Sequence, residues 1–525
     1  MAHLNLDTTK IRHCRELAKR ISAPIETLID THTTIAIERA TLRLLGVEGA
    51  VPQAGQVVPE VNVIIDDLKR DGGLEHGALR WFVNGMIQKK ATASELAALV
   101  ARRKIRLREL PQAPLGQIRE KARELCAAAV ERLIEAREQR DGLRAELRDP
   151  FDPTGRNGPL LYVIVATGNI HEDVIQAQAA AQAGADAIAV IRSTAQSLLD
   201  YVPHGATTEG FGGTYATQEN FRIMREALDD ESKRLKRYVQ LTNYSSGLAM
   251  AEIAWAAAYE RLDMLLNDAM YGILFRDINM KRTFLDQYVS RRICAYAGLI
   301  INTGEDNYIT TADAYEAAHT VIASQFINES FAHRAGLKDW QLGLGHSYEI
   351  DPHRPDTLLL ELSQAMLVRR CFPDAPCKYM PPTKHKETDI FFSHAYDVMA
   401  DLVAIWTRQG IQLLGMMTEA MHTPLLADRY VALKAANYLY KAARGIDEEF
   451  VVREDGKIAH RAREVFGRAT DLLEECRRDG LVAAIGRGRF GDVKRTETGG
   501  KGLEGVFERG ADYFNPMLEI LEERP

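Results

Sequence analysis

From residue 158 onward, apolar and polar positions follow one another in regular blocks along the chain. Eight short apolar runs each lead into a polar or glycine-containing loop and then into a stretch with helical spacing of its apolar residues. The apolar runs lie at 160–166, 187–191, 239–241, 264–266, 299–301, 340–344, 378–380 and 411–414. Strands that alternate with helices are typical of a parallel sheet, and a count of eight favours closure into a barrel over an open sheet. We therefore predict an α/β fold, a (β/α)8 TIM barrel over residues 158–445.

The segments on either side of the predicted barrel have a different pattern. Residues 1–157 show helical spacing without strand alternation, which predicts a helical accessory region that ends in a Pro- and Asp-rich linker at 149–155. Residues 446–525 form a predicted C-terminal extension, with a further helix and glycine-rich segments at 486–492 and 499–505. These glycines lack the Gly-Lys-Ser/Thr signature and the preceding strand of a phosphate loop, which favours a flexible surface extension over a nucleotide site.

The overall composition narrows the classes of partner. Hydrophobic residues make up 46% of the 525 residues and charged residues 26%, as expected for a globular protein with a large core. The net charge of −7 offers no basic surface, so we expect no nucleic-acid partner. No apolar run has the length needed to cross a bilayer, and the first residues lack the apolar run of a signal peptide, so we expect no membrane association.

The six cysteines are scattered along the chain without a Cys-x-x-Cys pair or metal-type spacing. Such a distribution is typical of free thiols in a reducing compartment rather than of a disulfide framework. We therefore expect a cytoplasmic protein with no metal site in this chain.

The stretch at 265–282 carries candidate chemistry at the end of the fourth apolar run. In a parallel barrel, functional groups lie on the loops that follow the carboxyl ends of the strands. Here the strand leads into Asn267 and Asp268, and then into Tyr271 and Arg276. An aromatic ring followed by a guanidinium suits a flat anionic ligand, because the ring offers a stacking surface and the guanidinium can bind two phosphate oxygens.

The loops after the second and third runs supply further polar groups. The second run leads into Arg192 and Ser197, and a guanidinium with several nearby hydroxyls suits a phosphate. The same loop continues through the Gly- and Thr-rich segment 205–217, where glycines allow a ligand to approach the backbone closely. After the third run, Ser246 lies in a polar segment whose side chains could bind a heteroaromatic nitrogen or cap the next helix.

Charged residues follow or open three other runs. Asp306 follows the fifth run and Lys378 opens the seventh. A carboxylate and an ammonium on opposite sides of a barrel mouth would bind the two ends of a zwitterionic amino acid, although each alone is more often a surface charge. Glu419 and His422, after the eighth run, are secondary candidates.

Six motifs along the chain resemble those of one enzyme family. They read THTTIAIERATLRLLGVEGA, PHGATTEGFGGTYATQENF, LTNYSSGLAMAE, LLNDAMYGILFRDINMKRT, INTGEDNYITTADAY and GMMTEAMHTP. Together they resemble the alpha (large) subunit of the lysine 5,6-aminomutases, which depend on adenosylcobalamin and pyridoxal 5'-phosphate. The resemblance covers most of the chain. It implies a cofactor barrel that pairs with a smaller, Rossmann-type cobalamin-binding beta subunit, as an alpha2beta2 assembly.

The resemblance also implies roles for seven residues of this chain. By position, the phosphate contacts are Arg192, Ser197 and Arg276, the ring-stacking residue is Tyr271, the pyridine contact is Ser246, and the substrate-binding residues are Asp306 and Lys378. The beta subunit of the family supplies the histidine that ligates cobalt and the lysine that forms the Schiff base with pyridoxal phosphate. The resemblance therefore assigns no catalytic residue and no metal ligand to this chain.

One departure from a cobalamin-binding motif agrees with that division. The sequence from Asp30 to Thr34 begins like Asp-x-His-x-x-Gly, but Ile35 stands where the glycine belongs. We therefore expect the isolated chain to be inactive. The implied reaction of the complex is a radical migration of the terminal amino group of D-lysine or β-lysine from carbon 6 to carbon 5.

Three alternatives stay open on the residues alone. The substrate could be ornithine or another diamino acid, because the sequence does not give the length of the pocket. The barrel could be a non-catalytic scaffold for a partner, although such a scaffold would not need the polar residues at its mouth. It could also be a self-sufficient aldolase or lyase with Lys378 as the Schiff-base nucleophile.

Overall fold

The computed structural model describes residues 4–190, 195–305, 312–346, 350–381 and 383–523. Two of the predicted site residues, Arg192 and Asp306, lie outside the described residues. Within the described residues, no helix combines the length and the hydrophobicity needed to cross a bilayer.

A parallel barrel with eight strand positions forms the centre of the fold. The strands are Leu160–Val165, Ala187–Val190, Gln240–Tyr244, Met264–Leu266, Ile300–Asn302, Leu342–Gly343 together with Gly345–His346, Lys378–Tyr379 and Ile411–Leu413. Each strand pairs in parallel with its neighbours, and the eighth pairs with the first through Ile411 and Leu160. The prediction of an eight-stranded α/β TIM barrel is confirmed.

The sixth strand is broken at Leu344, and its two halves serve different neighbours. Gly343 pairs with Asn302 of the fifth strand, whereas Gly345 pairs with Lys378 of the seventh. A Cβ at Gly345 would collide with the carbonyl oxygen of Thr303. Only glycine therefore permits the fifth and sixth strands to approach so closely here.

The strands are apolar on both faces because both faces are covered. Leu160, Tyr162, Ala189 and Met264 belong to a cluster inside the barrel. Residues of opposite parity, such as Val163, pack against the surrounding helices in the main core. This alternation follows from the two-residue period of a strand, and it explains the continuous apolar runs in the sequence.

Helices follow the barrel strands along the chain. Their bounds are Ile170–Gln182, Gln218–Leu235, Met250–Tyr259, Met280–Ala297, Ala314–Arg334, Thr357–Cys371, Ile390–Trp406 and Leu426–Ala442. A polar residue caps the amino-terminal end of several of them. Asn279 accepts hydrogen bonds from the backbone nitrogens of Lys281 and Arg282 at 3.0 and 3.3 Å, and so starts the fourth of these helices at Met280.

The N-terminal region is mainly helical, with short strands that the sequence pattern did not predict. Its helices are Thr8–Thr31, Ile35–Leu44, Glu60–Arg70, Ala78–Lys89, Ala93–Ala101 and Leu115–Glu146. Ala50–Gln53 and Gln56–Pro59 form a hairpin. Arg43 binds the buried Glu252 at 2.7 Å and so ties the second helix to the helix after the third strand.

The C-terminal region packs against both other parts of the chain. Its helices are Ile446–Glu449, Lys457–Asp479, Leu481–Gly486 and Pro516–Glu523. Strand Val506–Glu508 pairs antiparallel with His32–Thr34, which interrupts the helical stretch expected there. The sequence favoured a flexible surface extension for the glycine-rich segment 499–505, but the structure packs this segment against the loop after the fourth barrel strand. The predicted domain boundaries at 157 and 445 stay a prediction.

Candidate cofactor site at the barrel mouth

A cavity of about 180 Å³ lies where the carboxyl ends of the barrel strands meet. Its wall includes Tyr244 and Leu266 from the third and fourth strands and Tyr271 from the next loop. Lys378 of the seventh strand and Glu419 beyond the eighth complete the polar part of the wall. Residues far apart in sequence therefore converge here, as the strand-end rule predicts.

Tyr271 and Arg276 form one unit on the loop after the fourth strand. Tyr271 begins a π-helical turn, Tyr271–Phe275, and its side chain is 5% exposed. Arg276 donates a hydrogen bond from Nε to the Tyr271 hydroxyl at 2.9 Å, and its guanidinium carbon lies 4.5 Å from the centre of the Phe275 ring. Short π-helical turns often occur at functional sites. The predicted pairing of an aromatic ring with a guanidinium is therefore present at the mouth.

Ser246 lies behind the cavity wall. Its hydroxyl accepts a hydrogen bond from the backbone nitrogen of Asp268 at 2.8 Å and contacts the carbonyl oxygen of Leu266 at 3.4 Å. Ser245 donates to the same carbonyl at 2.7 Å. These bonds join the loop after the third strand to the end of the fourth. Ser246 does not line the cavity itself, but it contacts Leu266, which does. Its contact with a pyridine ring stays a prediction.

Ser197 lies on a buried 3-10 turn, Ala195–Leu198, after the second strand. Its carbonyl oxygen accepts a hydrogen bond from the backbone nitrogen of Leu248 at 3.0 Å, which brings this loop beside the loop of Ser246. Gln196 exchanges two hydrogen bonds with the backbone of Ala216, at 2.7 and 2.8 Å. The turn of Ser197 is therefore fixed between the loop of Ser246 and the far end of its own loop.

The Gly- and Thr-rich loop uses its glycines differently from the prediction. Gly210 donates a backbone hydrogen bond to the carbonyl oxygen of Gly168 at 2.7 Å, and a Cβ at Gly168 would collide with the Gly210 carbonyl. Asn220 donates from its side chain to Thr207 and Tyr215, both at 2.7 Å. At Gly168 and Gly210, then, the close approach is between two backbone segments.

Lys378 is buried, and its ammonium reaches across the mouth. Its Nζ lies 3.5 Å from the carbonyl oxygen of Thr303, which directly follows the fifth strand. The side chain is 3% exposed and lines the cavity. The predicted partner across the mouth, Asp306, lies outside the described residues, as does the predicted phosphate contact Arg192. Ser197, Ser246, Tyr271 and Arg276 nevertheless occupy the consecutive loops after the second, third and fourth strands.

A buried polar cluster beneath the fourth and fifth strand ends was not predicted. Asn328 donates to Asp268 at 3.3 Å and to Glu305 at 2.9 Å, and Arg291 binds the side-chain oxygen of Asn328 at 2.9 Å. Burial raises the pKa of Asp268, and the nearby Arg291 opposes that shift. Asp268 also accepts from the backbone nitrogen of Gly304 at 3.1 Å. The cluster thereby joins the end of the fourth strand, before Tyr271, to the end of the fifth strand at Gly304 and Glu305.

The sequence contains one signal for this cluster. Arg291 and Asn328 are polar residues at positions where their helices otherwise face the core. A buried guanidinium or amide needs partners, so such positions indicate a buried polar network. The sequence does not show which strand end supplies the partners.

Glu419 has a more specific position than its secondary ranking suggested. Its Oε1 accepts a hydrogen bond from the backbone nitrogen of Met416 at 3.0 Å, whereas Oε2 is buried without a hydrogen-bond partner among the described residues. Burial raises the pKa of Glu419 to about 7, and Lys386 opposes that shift. His422 is exposed and does not line the cavity.

The described residues contain no group of three or more His, Cys, Asp and Glu side chains arranged to hold a metal ion. All six cysteines are buried, and none is in a disulfide. The donors at the mouth are nitrogen and hydroxyl groups, and two tyrosine rings line the cavity, which suits a flat organic anion.

A sequence profile described as "D-Lysine 5,6-aminomutase TIM-barrel domain of alpha subunit" matches residues 4–520. The chain belongs to this aminomutase alpha-subunit family. The resemblance inferred from the six motifs is thereby confirmed.

Two relatives with the name lysine 5,6-aminomutase alpha subunit match nearly the whole chain, and an ornithine aminomutase subunit matches part of it. The lysine 5,6-aminomutase alpha subunit of Acetoanaerobium sticklandii is 50% identical over 99% of this chain and 98% of its own length. The protein of the same name from Fusobacterium nucleatum is 49% identical over 99% of both chains. The D-ornithine 4,5-aminomutase subunit beta of A. sticklandii is 28% identical over 68% of this chain and 50% of its own length. The ornithine enzyme is therefore the more distant relative.

Proposed function

We propose that this chain is the large, cofactor-binding subunit of a lysine 5,6-aminomutase that moves the terminal amino group of D-lysine or β-lysine from carbon 6 to carbon 5 by a radical mechanism. The observation that supports this most strongly is the 50% identity with a lysine 5,6-aminomutase alpha subunit over 99% of the chain. The names of that relative and of the ornithine aminomutase denote subunits, so the activity would need a partner chain.

The residues at the mouth fit pyridoxal 5'-phosphate. Tyr271 offers a ring in the cavity wall, and Arg276 places a guanidinium beside that ring. The hydroxyls of Ser197 and Ser246 lie on the two adjoining loops. A phosphate requires a cationic fork and hydroxyl donors, and a flat heteroaromatic ring requires an aromatic surface. When bound, pyridoxal phosphate would supply the conjugated ring that holds the migrating amine, and adenosylcobalamin would supply the radical initiator.

The side chains of the mouth would also orient the amino acid. The Lys378 ammonium is held in a buried position, where its attraction for a substrate carboxylate is strong because the surroundings screen charge poorly. Asp306 would bind the amino end, as the family resemblance implies. Leu266, Met380 and Leu413 would exclude water from the reacting atoms.

A partner subunit would bring the cobalt-ligating histidine and the Schiff-base lysine. In this chain, His32 pairs with Glu508 in the two-stranded sheet and does not line the mouth cavity. We propose a Rossmann-type beta subunit as the partner and an alpha2beta2 heteromer in the cytoplasm. Isolated alpha chain should therefore show no activity.

The test is reconstitution of the chain with its partner subunit and both cofactors. Migration of the amino group of D-lysine or β-lysine, absent when either cofactor or either subunit is omitted, would support the proposal. Turnover of ornithine in preference to lysine would show that the substrate is ornithine. Absence of any cofactor binding would favour the alternative of a non-catalytic scaffold. Borohydride trapping of a lysine on the isolated chain would favour the aldolase alternative instead.

A further inference from the structure

The C-terminal segment 495–505, here called the strap, crosses the loop that carries the candidate cofactor contacts. The backbone nitrogen of Asn279 donates to the carbonyl oxygen of Lys501 at 2.9 Å. The backbone nitrogen of Lys501 in turn donates to the carbonyl oxygen of Asp277 at 2.9 Å. The strap therefore pairs with the residues that directly follow Arg276.

Side-chain bonds and glycines complete this contact. Asn279 donates from its side-chain amide to the carbonyl oxygens of Glu497 and Gly499 at 2.9 and 2.7 Å. A Cβ at Gly500, where φ is +79°, would lie 2.7 Å from the backbone nitrogen of Asn279. Glycine is therefore required at position 500 by close packing on the loop, because a side chain there would separate the two backbones.

Arg495 binds the π-helical turn itself. It donates from Nε to the carbonyl oxygen of Ile273 at 3.0 Å and from Nη2 to that of Leu274 at 2.8 Å. It also pairs with Asp277 at 3.1 Å. The last carbonyls of a helical turn have no partner further along the turn, so a guanidinium that binds two of them stabilises the turn directly.

Arg282 links the strap to the other two loops of the site. Its buried guanidinium donates to the carbonyl oxygen of Gly502 at 3.3 Å and to that of Leu248 at 2.6 Å. It also donates to Asp200 at 2.5 Å and to Asp286 at 2.6 Å. Leu248 belongs to the loop of Ser246, and Asp200 follows the turn of Ser197. One side chain thus joins the strap to the loops after the second and third strands.

We propose that the strap positions the Tyr271–Arg276 loop for ligand binding, with Arg495 as the positioning residue. No residue of the strap lines the mouth cavity, so its role is to fix the geometry of the loop that carries the ligand groups. The identity of the ligand as pyridoxal phosphate rests on the proposed function. The positioning of the loop rests on the contacts of the strap alone.

Hydrogen–deuterium exchange on the full chain in complex with its partner tests the positioning directly. Arg495→Gln should accelerate amide exchange in peptides covering 269–279 by about tenfold, because the fork that binds two carbonyls is lost. Arg495→Lys should restore part of the protection, since an ammonium can still bind one carbonyl. Arg489→Gln is the matched control, because Arg489 lies shortly before the strap and pairs with Glu475 at 2.8 Å.

A binding cycle then separates this inference from the proposed function. In the complex, Arg276→Ala and Arg495→Gln should each weaken the binding of pyridoxal phosphate about tenfold or more, and the double variant should lose less affinity than the sum of the two single losses. If Arg276→Ala leaves cofactor binding unchanged, the proposed site is wrong whatever the strap does.

Three results would overturn the strap proposal while leaving the proposed function intact. The first is equal exchange at 269–279 in Arg495→Gln and Arg489→Gln. The second is a uniform rise in exchange across the whole chain in Arg495→Gln, which would indicate general destabilisation. The third is full additivity of Arg276→Ala and Arg495→Gln in cofactor affinity.

Discussion

The ammonium nitrogen of Lys378 lies 3.5 Å from the carbonyl oxygen of Thr303, and this contact joins the seventh strand to the end of the fifth. The broken sixth strand lies between them. A Cβ at Gly345 would lie 3.2 Å from Cε of Lys378, so the glycine leaves room for the lysine stem. Gly345, directly after the strand break, therefore allows the Lys378 side chain to lie in the wall of the mouth cavity.

Lys378 should determine the affinity for substrate but not for cofactor. Lys378→Met removes a buried cation that would face a carboxylate, and loss of such a pair costs about 2 kcal/mol or more. We expect the KM for lysine to rise about 30-fold, with pyridoxal phosphate affinity unchanged. Lys384→Met, on the following loop and exposed, is the control. A KM within twofold of the parent would contradict the assignment.

Tyr271 and Arg276 should determine cofactor retention. Tyr271→Ala removes the stacking surface, and we expect pyridoxal phosphate to bind about tenfold more weakly in the assembled complex. Tyr271→Phe keeps the ring but loses the hydroxyl that accepts from Arg276, so its loss should be smaller, about threefold. Cofactor absorbance after dialysis measures both. Unchanged absorbance in both Tyr271→Ala and Arg276→Ala would show that this loop does not bind the cofactor.

Apolar patterning predicted the barrel because every strand is buried on both faces, but it misjudged two strands. The third strand was predicted at 239–241 and extends over Gln240–Tyr244. Asn243 lies within it and donates its side-chain amide to the carbonyl of Val190. In the sequence alone, a polar residue such as Asn243 indicates a loop, because its hydrogen-bond partner inside the sheet is not visible there. The sixth strand was predicted as continuous, and its break depends on contacts between strands.

Strand-end reasoning placed Tyr271 and Arg276 together because the carboxyl ends of parallel strands meet at one face. Lys378 opens a strand of only two residues, and its side chain also lines the mouth cavity. Strand-end reasoning did not locate Asn328, which lies on a helix and contacts Asp268 and Glu305 at the strand ends only in the folded chain. Nor did it identify the strap, since glycines indicate flexibility unless a neighbouring backbone is known to approach them. Local patterns therefore predict elements and strand ends, whereas contacts between distant segments require the fold.

Asn328 should stabilise the strand ends that carry the site. Asn328→Leu would remove one buried side-chain hydrogen bond from each of Asp268 and Glu305, at a cost of about 1–3 kcal/mol for each bond. We expect a lower melting temperature and weaker substrate binding. Asn328→Asp should have a lower melting temperature than Asn328→Leu, because it adds a third carboxylate to the cluster. A melting temperature equal to that of the parent would contradict the importance of this amide.

Glu361 should make the stability of the chain depend on pH. Its Oε2 accepts from the Tyr379 hydroxyl at 2.8 Å, and its Oε1 has no hydrogen-bond partner among the described residues. Burial raises the pKa of Glu361 from 4.5 to about 7. Below pH 4.5 the group is protonated in both states. Between pH 4.5 and 7 only the unfolded chain loses the proton, so stability falls as pH rises and then stays constant above pH 7.

Glu361→Gln removes this titration and keeps an acceptor for Tyr379. We expect the variant to match the parent at pH 4.5 and to exceed it at pH 8 by about 3 kcal/mol, the free energy that corresponds to the pKa shift. Melting temperatures of both proteins at the two pH values measure the difference. Glu120→Gln, an exposed position, is the control and should show none. Equal destabilisation of the variant at both pH values would contradict the raised pKa of Glu361. The stability difference between variant and parent would then not depend on the protonation of this side chain.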